Sequence, residues 1–128
     1  MIFKSQIAYL LLCLGVVLTT FEAICQRESG GNRWAYKRSE RAAGIAQIRP
    51  IYVADVNRIL GKHVFTNTDR WSINRSRQMF EIYTSFYIKH YRLADMPQNR
   101  ARIHNGGPTG WRKQSTLKYW NDVRRLMR

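Results

Sequence analysis

Residues 16–32 have the sequence VVLTTFEAICQRESGGN and carry the clearest structural signal in the chain. Their apolar members recur at helical spacing, so that one face holds Val17, Phe21, Ile24 and Cys25. The run at 29–32 then ends the helix, because Ser, Gly and Asn favour turns over helix interiors. The sequence therefore predicts a first helix over 16–28, with Glu28 at its C-terminal end.

Four more helices are predicted downstream from apolar periodicity and from residues that favour helix ends. The second helix is predicted from Pro50 to Gly61, and the third from Ser72 or Asn74 to Tyr91. The fourth is predicted to begin at Asp95 with Pro97 and to end at Gly106, and the last to run from Ser115 to Met127. No segment alternates apolar and polar residues as a half-buried strand does, and residues 63–69 are predicted to form a loop. We therefore expect an all-α fold of about five to six helices. A chain of 128 residues is long enough for such a fold to bury a hydrophobic core.

The charge of the chain is strongly positive and unevenly distributed. There are 22 Lys and Arg against 8 Asp and Glu, a net charge of +14, and the excess lies almost entirely after residue 30. A body this basic is attracted to polyanions such as nucleic acid, anionic lipid or the anionic bacterial wall. The basic residues are scattered along the chain and no nucleic-acid-binding motif accompanies them, so nucleic acid is not an expected partner.

An apolar run at 7–18 follows Lys4 and is shorter than the roughly 20 residues that a membrane-spanning helix needs. Its basic start and apolar middle are typical of a secretory signal, although no pair of small residues marks a good cleavage site. Three interpretations stay open: a cleaved signal that ends near Thr19 or Thr20, an uncleaved signal-anchor, and the apolar first helix of the domain.

The cysteines and histidines indicate neither a disulfide framework nor a metal centre. Cys13 and Cys25 are too few for such a framework and are expected to be buried or membrane-embedded thiols. His63, His90 and His104 lie far apart in sequence, with no Cys or His beside them at ligand spacing. We therefore predict no metal site and no cofactor.

Glu28 is the best candidate for a residue that carries chemistry. A general acid must hold a proton near neutral pH, and burial against apolar groups or a place at a helix C-terminus raises the pKa of a Glu. Ordinary glycosidases pair two carboxylates, but the remaining acidic residues of this chain fall in no recognisable motif. The alternative interpretation is an exposed Glu28 that pairs with Arg27 or Arg33.

A set of motifs in a fixed order accompanies Glu28. Glu28-Ser29 is followed by Gly-Ile-Ala-Gln-Ile at 44–48, by Pro50, by Ala-Arg-Ile-His-Asn-Gly-Gly at 101–107, and by a late Tyr119. This order resembles the soluble lytic transglycosylase (SLT) domain of the lysozyme superfamily, with its Glu-Ser, Gly-x-x-Gln-Ile, Ala-x-x-Tyr-Asn-x-Gly and late Tyr. The resemblance covers about 16–123 and implies a lysozyme-like fold of the goose-type and SLT kind. It divides the chain into a signal-like or anchor segment at 1–18, which can merge with the first helix, and a transglycosylase domain at 16–128.

The resemblance also implies an activity and a set of site residues. The family cuts peptidoglycan between N-acetylmuramic acid and N-acetylglucosamine and leaves a 1,6-anhydromuramyl end. Glu28 corresponds to its catalytic acid/base, and the positions that contact the substrate or the acid correspond to Ser29, Gln47, His104, Asn105 and Tyr119. One position departs from the pattern, since His104 stands where the family has Tyr before its Asn.

Two other functions are consistent with the sequence. One is a hydrolytic muramidase similar to goose-type lysozymes, which usually add acidic residues that place a water molecule, and Asp55 or Asp69 would be the candidates. The other is a non-catalytic basic module that binds the cell wall or nucleic acid.

The expected partners and location follow from a wall-cutting activity. We expect peptidoglycan glycan strands and the anionic cell wall as partners, with a secretion machine or a virion as a candidate assembly. We expect a monomer that is located in the periplasm or cell envelope, by export or by an anchor, or is associated with a phage virion.

Overall fold

The computed structural model describes residues 17–128, which form five α-helices, three short 3-10 helices and one small sheet. The α-helices are α1 Thr20–Ser29, α2 Pro50–Leu60, α3 Ile73–His90, α4 Pro97–Gly106 and α5 Leu117–Leu126, and the strands are β1 Tyr36–Lys37 and β2 Ala42–Ala43. The 3-10 helices are Asn67–Trp71, Gly110–Arg112 and Gln114–Thr116. Within this described part, no helix has the length and apolar character needed to cross a membrane.

The start of the chain lies outside the described residues. This concerns Cys13, nearly all of the apolar run at 7–18, and the first residue of the predicted helix at 16–28. The three interpretations of the apolar run, and the division of the chain at 16–18, therefore stay predictions.

The five predicted helices are confirmed, with differences at their ends. The first begins at Thr20 because Thr19 caps it: Oγ1 of Thr19 accepts a hydrogen bond from the Glu22 amide at 3.2 Å, and the Glu22 carboxylate accepts one from the Thr19 amide at 3.0 Å. Ser72 is the residue that caps α3. The last helix begins two residues after Ser115, because a 3-10 turn precedes it.

The all-α prediction is wrong at residues 36–43. There β1 and β2 pair antiparallel, with Tyr36 opposite Ala43 and Lys37 opposite Ala42. Strands of two residues are too short to show an alternating pattern, and for this reason no sequence pattern predicted them. The hairpin determines where two polar side chains lie, because its turn carries Glu40 and its second strand leads to Gln47.

Residues 34–48 contain β1, β2 and the loops beside them, and we call them the hairpin region. The core lies between the helices and the inner face of this region. Its largest fully buried side chains are Phe80, Ile24, Ile48, Met79, Ile103, Val56 and Val123. The helical period of the sequence predicts one apolar face for α3, made of Met79, Ile82, Tyr83, Phe86 and Tyr87. In the structure Met79, Tyr83 and Tyr87 are buried, whereas Ile82 and Phe86 are half-buried. Because α1 packs against both α4 and α5, the C-terminal end of α1 meets side chains from the end of the chain.

Arg70 joins the hairpin region to the loop that precedes α3. Its buried guanidinium donates hydrogen bonds to the carbonyls of Arg41 at 2.6 Å, Ile48 at 3.0 Å and Asn67 at 2.8 Å. Gly44 fits against the backbone of Arg70 so closely that a Cβ on Gly44 would lie 1.8 Å from the Arg70 carbonyl oxygen. The hairpin region is therefore held in a fixed position relative to the helices.

Candidate active site

A cleft of about 870 Å³ runs between the hairpin region, α2 and the C-terminal end of α4. The predicted site residues that line it are Glu28, Gln47, His104 and Asn105, and the acidic residues Glu40 and Asp55 also line it. Its volume falls in the range of sites that enclose most of a medium-sized ligand. The structure therefore brings residues from three separate motifs to one concave surface.

Glu28 lies at the inner end of this cleft, in the last turn of α1. Its side chain is mostly buried, and loss of solvent raises its pKa from the ordinary 4.5 to about 7. A hydrogen bond from Tyr119 and the positive charge of Arg27 oppose this rise, and the negative charge of Glu40 adds to it. Glu28 therefore holds a proton over a large part of the neutral pH range, as a general acid must.

Tyr119 of α5 is the direct partner of Glu28. Its buried hydroxyl donates a hydrogen bond to Oε2 of Glu28 over 2.9 Å. A donor of this kind stabilises the charged carboxylate and so lowers the pKa of Glu28.

Tyr119→Phe is therefore expected to raise the pKa of Glu28 above about 7. The pKa would be read from the ¹³C shift of the Glu28 carboxyl in an NMR titration, and Tyr91→Phe, which alters a tyrosine outside the cleft lining, is the matched control. An unchanged or lower pKa in Tyr119→Phe would show that the hydrogen bond does not act on the acid.

His104 lies beside Glu28 as a neutral ring. Its Nε2 is 2.9 Å from the Ala46 carbonyl and 3.7 Å from Oε2 of Glu28, and its Nδ1 is 3.0 Å from the Tyr52 hydroxyl. We assign the proton to Nε2, which donates to Ala46, so that Nδ1 accepts from Tyr52. Because burial lowers the pKa of His104 to about 4, its contact with Glu28 is not an ion pair and leaves the raised pKa of Glu28 intact.

Gln47 of the hairpin region and Asn105 of α4 both line the cleft. The Nε2 of Gln47 donates to the carbonyls of Ala35 at 3.1 Å and Gly44 at 3.0 Å, so its amide braces the hairpin. Asn105 is exposed near the end of α4, where its amide group is accessible to a ligand in the cleft. Substrate contact by either residue stays a prediction.

Ser29 has a position that favours a structural role. Its buried hydroxyl lies within hydrogen-bonding distance of two carbonyls, Ile45 at 2.7 Å and Cys25 at 3.1 Å, and Ser29 is not part of the cleft lining. These contacts tie the end of α1 to the loop that carries Gln47.

Ser29→Ala is accordingly expected to lower the free energy of unfolding by about 1–2 kcal/mol, because it leaves the Ile45 carbonyl without this donor. Urea unfolding measures this loss, and Ser39→Ala, at an exposed site in the hairpin turn, is the control. If Ser29 instead contacts substrate, the variant will keep its stability and lose affinity for glycan.

Glu40 is the acidic residue that sequence reasoning missed. It lies in the turn between β1 and β2, lines the same cleft as Glu28, and forms ion pairs with Lys37 at 2.6 Å and with Arg49. The hydrogen bond from Lys37, together with the charge of Arg49, lowers the pKa of Glu40, so Glu40 is ionised where Glu28 is protonated. A prediction of the hairpin would have revealed it, because the turn folds Glu40 back toward the end of α1.

The two acidic residues that the sequence offered for placing a water molecule, Asp55 and Asp69, are engaged by other groups of the protein. Asp55 lines the cleft but pairs with Arg58 at 2.7 Å and accepts a short hydrogen bond from the Tyr87 hydroxyl. Asp69 is not part of the cleft lining; it accepts from the Thr66 amide at 2.8 Å and helps to start a 3-10 helix. Over residues 17–128, no group of three or more His, Cys, Asp or Glu is placed to hold a metal ion.

Comparison with known proteins identifies the family. No family model matches the chain. The chain is 31% identical over 106 residues to an invertebrate-type lysozyme of Ruditapes philippinarum, a match that covers 80% of this chain and 76% of that protein. It belongs to the invertebrate-type lysozymes. It is also 35% identical over 104 residues to a lysozyme of Ostrea edulis, with 79% of this chain and 74% of that protein covered.

Solved structures agree with the family assignment. The complex of Aeromonas hydrophila PliI with Meretrix lusoria lysozyme matches this invertebrate-type lysozyme with a TM-score of 0.73 and 28% identity, covering 83% of this chain and 86% of the matched chain. The lysozyme of Tapes japonica matches with a TM-score of 0.72, at the same identity and coverage. The helical fold with its small sheet is therefore a lysozyme fold of the invertebrate type. The predicted lysozyme-like fold is confirmed, but its assignment to the goose-type and SLT kind is wrong.

The SLT resemblance is overturned by these relatives. Its motifs mark the end of α1, the hairpin region and the end of α4, which are the parts that shape the cleft around Glu28. Short motifs of this kind report the geometry of a lysozyme-like cleft, and not which reaction the cleft catalyses. The departure at His104 was the one sequence signal against the SLT family.

Proposed function

We propose that this invertebrate-type lysozyme is a muramidase that hydrolyses the β-1,4 bond between N-acetylmuramic acid and N-acetylglucosamine in peptidoglycan. The observation that carries the proposal is the pair Glu28 and Glu40, which line one cleft and have pKa values displaced in opposite directions. Two carboxyl groups with separated pKa values can divide the acid and base roles of glycoside hydrolysis. The lysozymes to which the chain is related support the same reaction class.

In this reaction Glu28 acts as the general acid. Its proton goes to the bridging oxygen as the bond from that oxygen to the anomeric carbon breaks, and N-acetylglucosamine leaves with a new hydroxyl. The ionised Glu40 supplies negative charge while positive charge develops at the anomeric carbon. A water oxygen then bonds to this carbon, and one of the two water protons goes to the Glu28 carboxylate, which restores the acid. The other proton stays on the oxygen, so that the product has an ordinary reducing end.

The remaining cleft residues are proposed to bind the glycan. The exposed amide of Asn105 can donate to and accept from sugar hydroxyl and acetamido groups. The cleft is also lined by five basic side chains, those of Arg27, Lys37, Arg49, Arg58 and Lys113. Their positive charge favours a substrate that carries muramyl and peptide-stem carboxylates. A wall substrate lies outside the cell membrane, so the proposal needs export, and the leader at 1–18 stays a prediction.

The test of hydrolysis is digestion of purified peptidoglycan in H₂¹⁸O, followed by mass spectrometry of the released muropeptides. Hydrolysis is expected to give reducing ends that carry one ¹⁸O atom each. Anhydromuramyl ends without label would overturn hydrolysis while leaving glycan cleavage in place. An absence of released muropeptides under conditions in which the protein is folded would overturn the enzymatic proposal.

Glu40→Gln is expected to lower kcat about 10²-fold with a smaller change in KM, because the charge of Glu40 acts mainly in the transition state. Turbidity loss of a peptidoglycan suspension measures the rate. Glu81→Gln, which changes an exposed carboxylate outside the cleft lining, is the matched control and is expected to keep full activity. Equal rates for both variants would remove Glu40 from the mechanism.

A further inference from the structure

An aromatic cluster lies at the hairpin region, outside the cleft lining. It joins two exposed rings of that region to the half-buried Trp71 of the neighbouring 3-10 helix. Trp34 is 65% exposed and Tyr36 is 52% exposed. Trp71 lies between them, with its ring centroid 6.2 Å from each of theirs and interplanar angles of 32° and 37°. We call these three rings the aromatic platform. Large apolar surfaces left open to water in this way commonly mark a binding site.

The aromatic platform is held in place before any ligand arrives. The Trp34 amide donates to Oδ1 of Asn32 at 3.0 Å, and the Arg33 guanidinium lies 4.7 Å from the Trp34 ring centroid and donates to the Trp71 carbonyl at 3.4 Å. Trp71 follows Arg70, whose buried side chain joins this loop to the hairpin region. Rings that are already fixed lose little conformational entropy on binding, which favours affinity.

The platform and the cleft share one structural element. Tyr36 and Lys37 are neighbours in β1, and successive side chains of a strand point to opposite faces. Lys37 lines the cleft, so Tyr36 and the other two rings belong to the outer face of the same hairpin. A polymer network that enters the cleft on one side of the hairpin can therefore contact the platform on the other.

The charge around the platform indicates what it binds. Arg33, Arg38 and Arg41 are exposed on this part of the chain, and the carboxylate of Glu40 belongs to the cleft side. Aromatic faces together with arginine donors suit the C–H faces of pyranose rings whose substituents include hydroxyl, acetamido and carboxylate groups. Glycan strands of the bacterial wall combine these groups, with their anionic charge complementary to the arginines.

We propose that Trp34, Tyr36 and Trp71 form a second glycan-binding site, separate from the cleft, that holds this invertebrate-type lysozyme on intact peptidoglycan. The choice of ligand rests on the proposed muramidase function. The cleft cuts one strand while the platform stacks on a sugar ring of a neighbouring strand. The platform is therefore needed for work on the insoluble wall and has no part in the cleavage of short, soluble oligosaccharides.

The test is made with Trp34→Ala/Tyr36→Ala in a Glu28→Gln background, so that binding is measured without cleavage. Co-sedimentation with insoluble peptidoglycan at about 0.5 M NaCl, where the Debye length is only a few ångströms, isolates stacking from charge attraction. The dissociation constant is expected to rise about 5- to 10-fold, since two stacked rings contribute about 1–1.5 kcal/mol. Met96→Ala, which shortens another exposed apolar side chain, is the control and is expected to bind as the parent does.

Two further measurements separate the possible outcomes. With Glu28 restored, the double variant is expected to cleave soluble oligosaccharides at the parent rate and insoluble peptidoglycan more slowly. Binding to peptidoglycan that is unchanged in a folded double variant would overturn the proposal, whatever the cleavage assay shows. If the double variant instead loses binding to phosphatidylglycerol vesicles and keeps binding to peptidoglycan, the platform is a membrane contact and the glycan proposal is wrong. Glycan binding by a protein that releases no muropeptides would refute the muramidase function alone.

Discussion

Glu28→Gln is expected to reduce the cleavage of peptidoglycan about 10³-fold or more, while binding to the wall is retained. The amide has nearly the shape of the carboxylic acid but cannot give a proton to the leaving oxygen, and positioned proton transfer contributes about 10²–10⁴-fold to a rate. Release of soluble muropeptides measures the loss, and Glu81→Gln is again the control. A variant that keeps more than a tenth of the activity would exclude Glu28 as the acid.

The same variant is expected to be more stable than the parent at pH 8. The folded state raises the pKa of Glu28 from 4.5 to about 7, so the folded protein is more stable when Glu28 is protonated. The parent therefore has its full stability below about pH 4.5 and loses some of it as the pH rises through about 7. Gln removes this loss, so the two Tm values should coincide at pH 4 and separate at pH 8. The opposite pH dependence would contradict the raised pKa.

Gly44→Ala is expected to lower the free energy of unfolding by about 4 kcal/mol or more. Gly44 has φ +83°, a left-handed conformation that costs an alanine about 1–2 kcal/mol. The added Cβ would also lie 1.8 Å from the Arg70 carbonyl oxygen, and Arg70 cannot easily move because its guanidinium is hydrogen-bonded to the carbonyls of Arg41 and Ile48. Thermal and urea unfolding of the purified protein measure the loss.

Gly61→Ala provides a matched control for this substitution. Gly61 ends α2 with φ +72°, but nothing lies within 4 Å of the position that its Cβ would take. The control should therefore lose only about 1–2 kcal/mol, from backbone conformation alone. Equal losses at the two positions would show that the hairpin region adapts freely and that its contact with Arg70 is not tight.

The sequence predicted the helices of this protein well because their end signals are local. Pro50, Gly61 and Ser72 act through the backbone of their own helix and need no distant partner. The buried face of α3 was predicted only in part, because Phe80 and Ile88 meet apolar neighbours that the helical period alone does not reveal. The hairpin was not predicted, since two-residue strands form through contacts that are not visible in a local pattern.

The sequence allowed us to predict the site residue that lies at the end of a helix, but not the one whose position depends on the hairpin. Glu28 at a helix end followed by Gly30 and Gly31 is a local signal, and its raised pKa agrees with the predicted burial. Glu40 gives no such signal, because its place in the cleft depends on the pairing of β1 with β2 and on Arg49 from the following loop. The prediction of the SLT family was wrong because motifs that shape a cleft are common to relatives that catalyse different reactions.

The contact between Glu28 and Tyr119 spans 91 residues of the chain. During synthesis Glu28 leaves the ribosome early, while the helix that covers it is among the last segments to emerge. Until α5 docks on α1, Glu28 lacks its hydrogen-bond partner Tyr119 and any shielding from solvent that this helix provides. Under the proposed mechanism, a chain truncated before α5 is therefore expected to be inactive toward glycan, so that the onset of cleavage would report a completely folded domain.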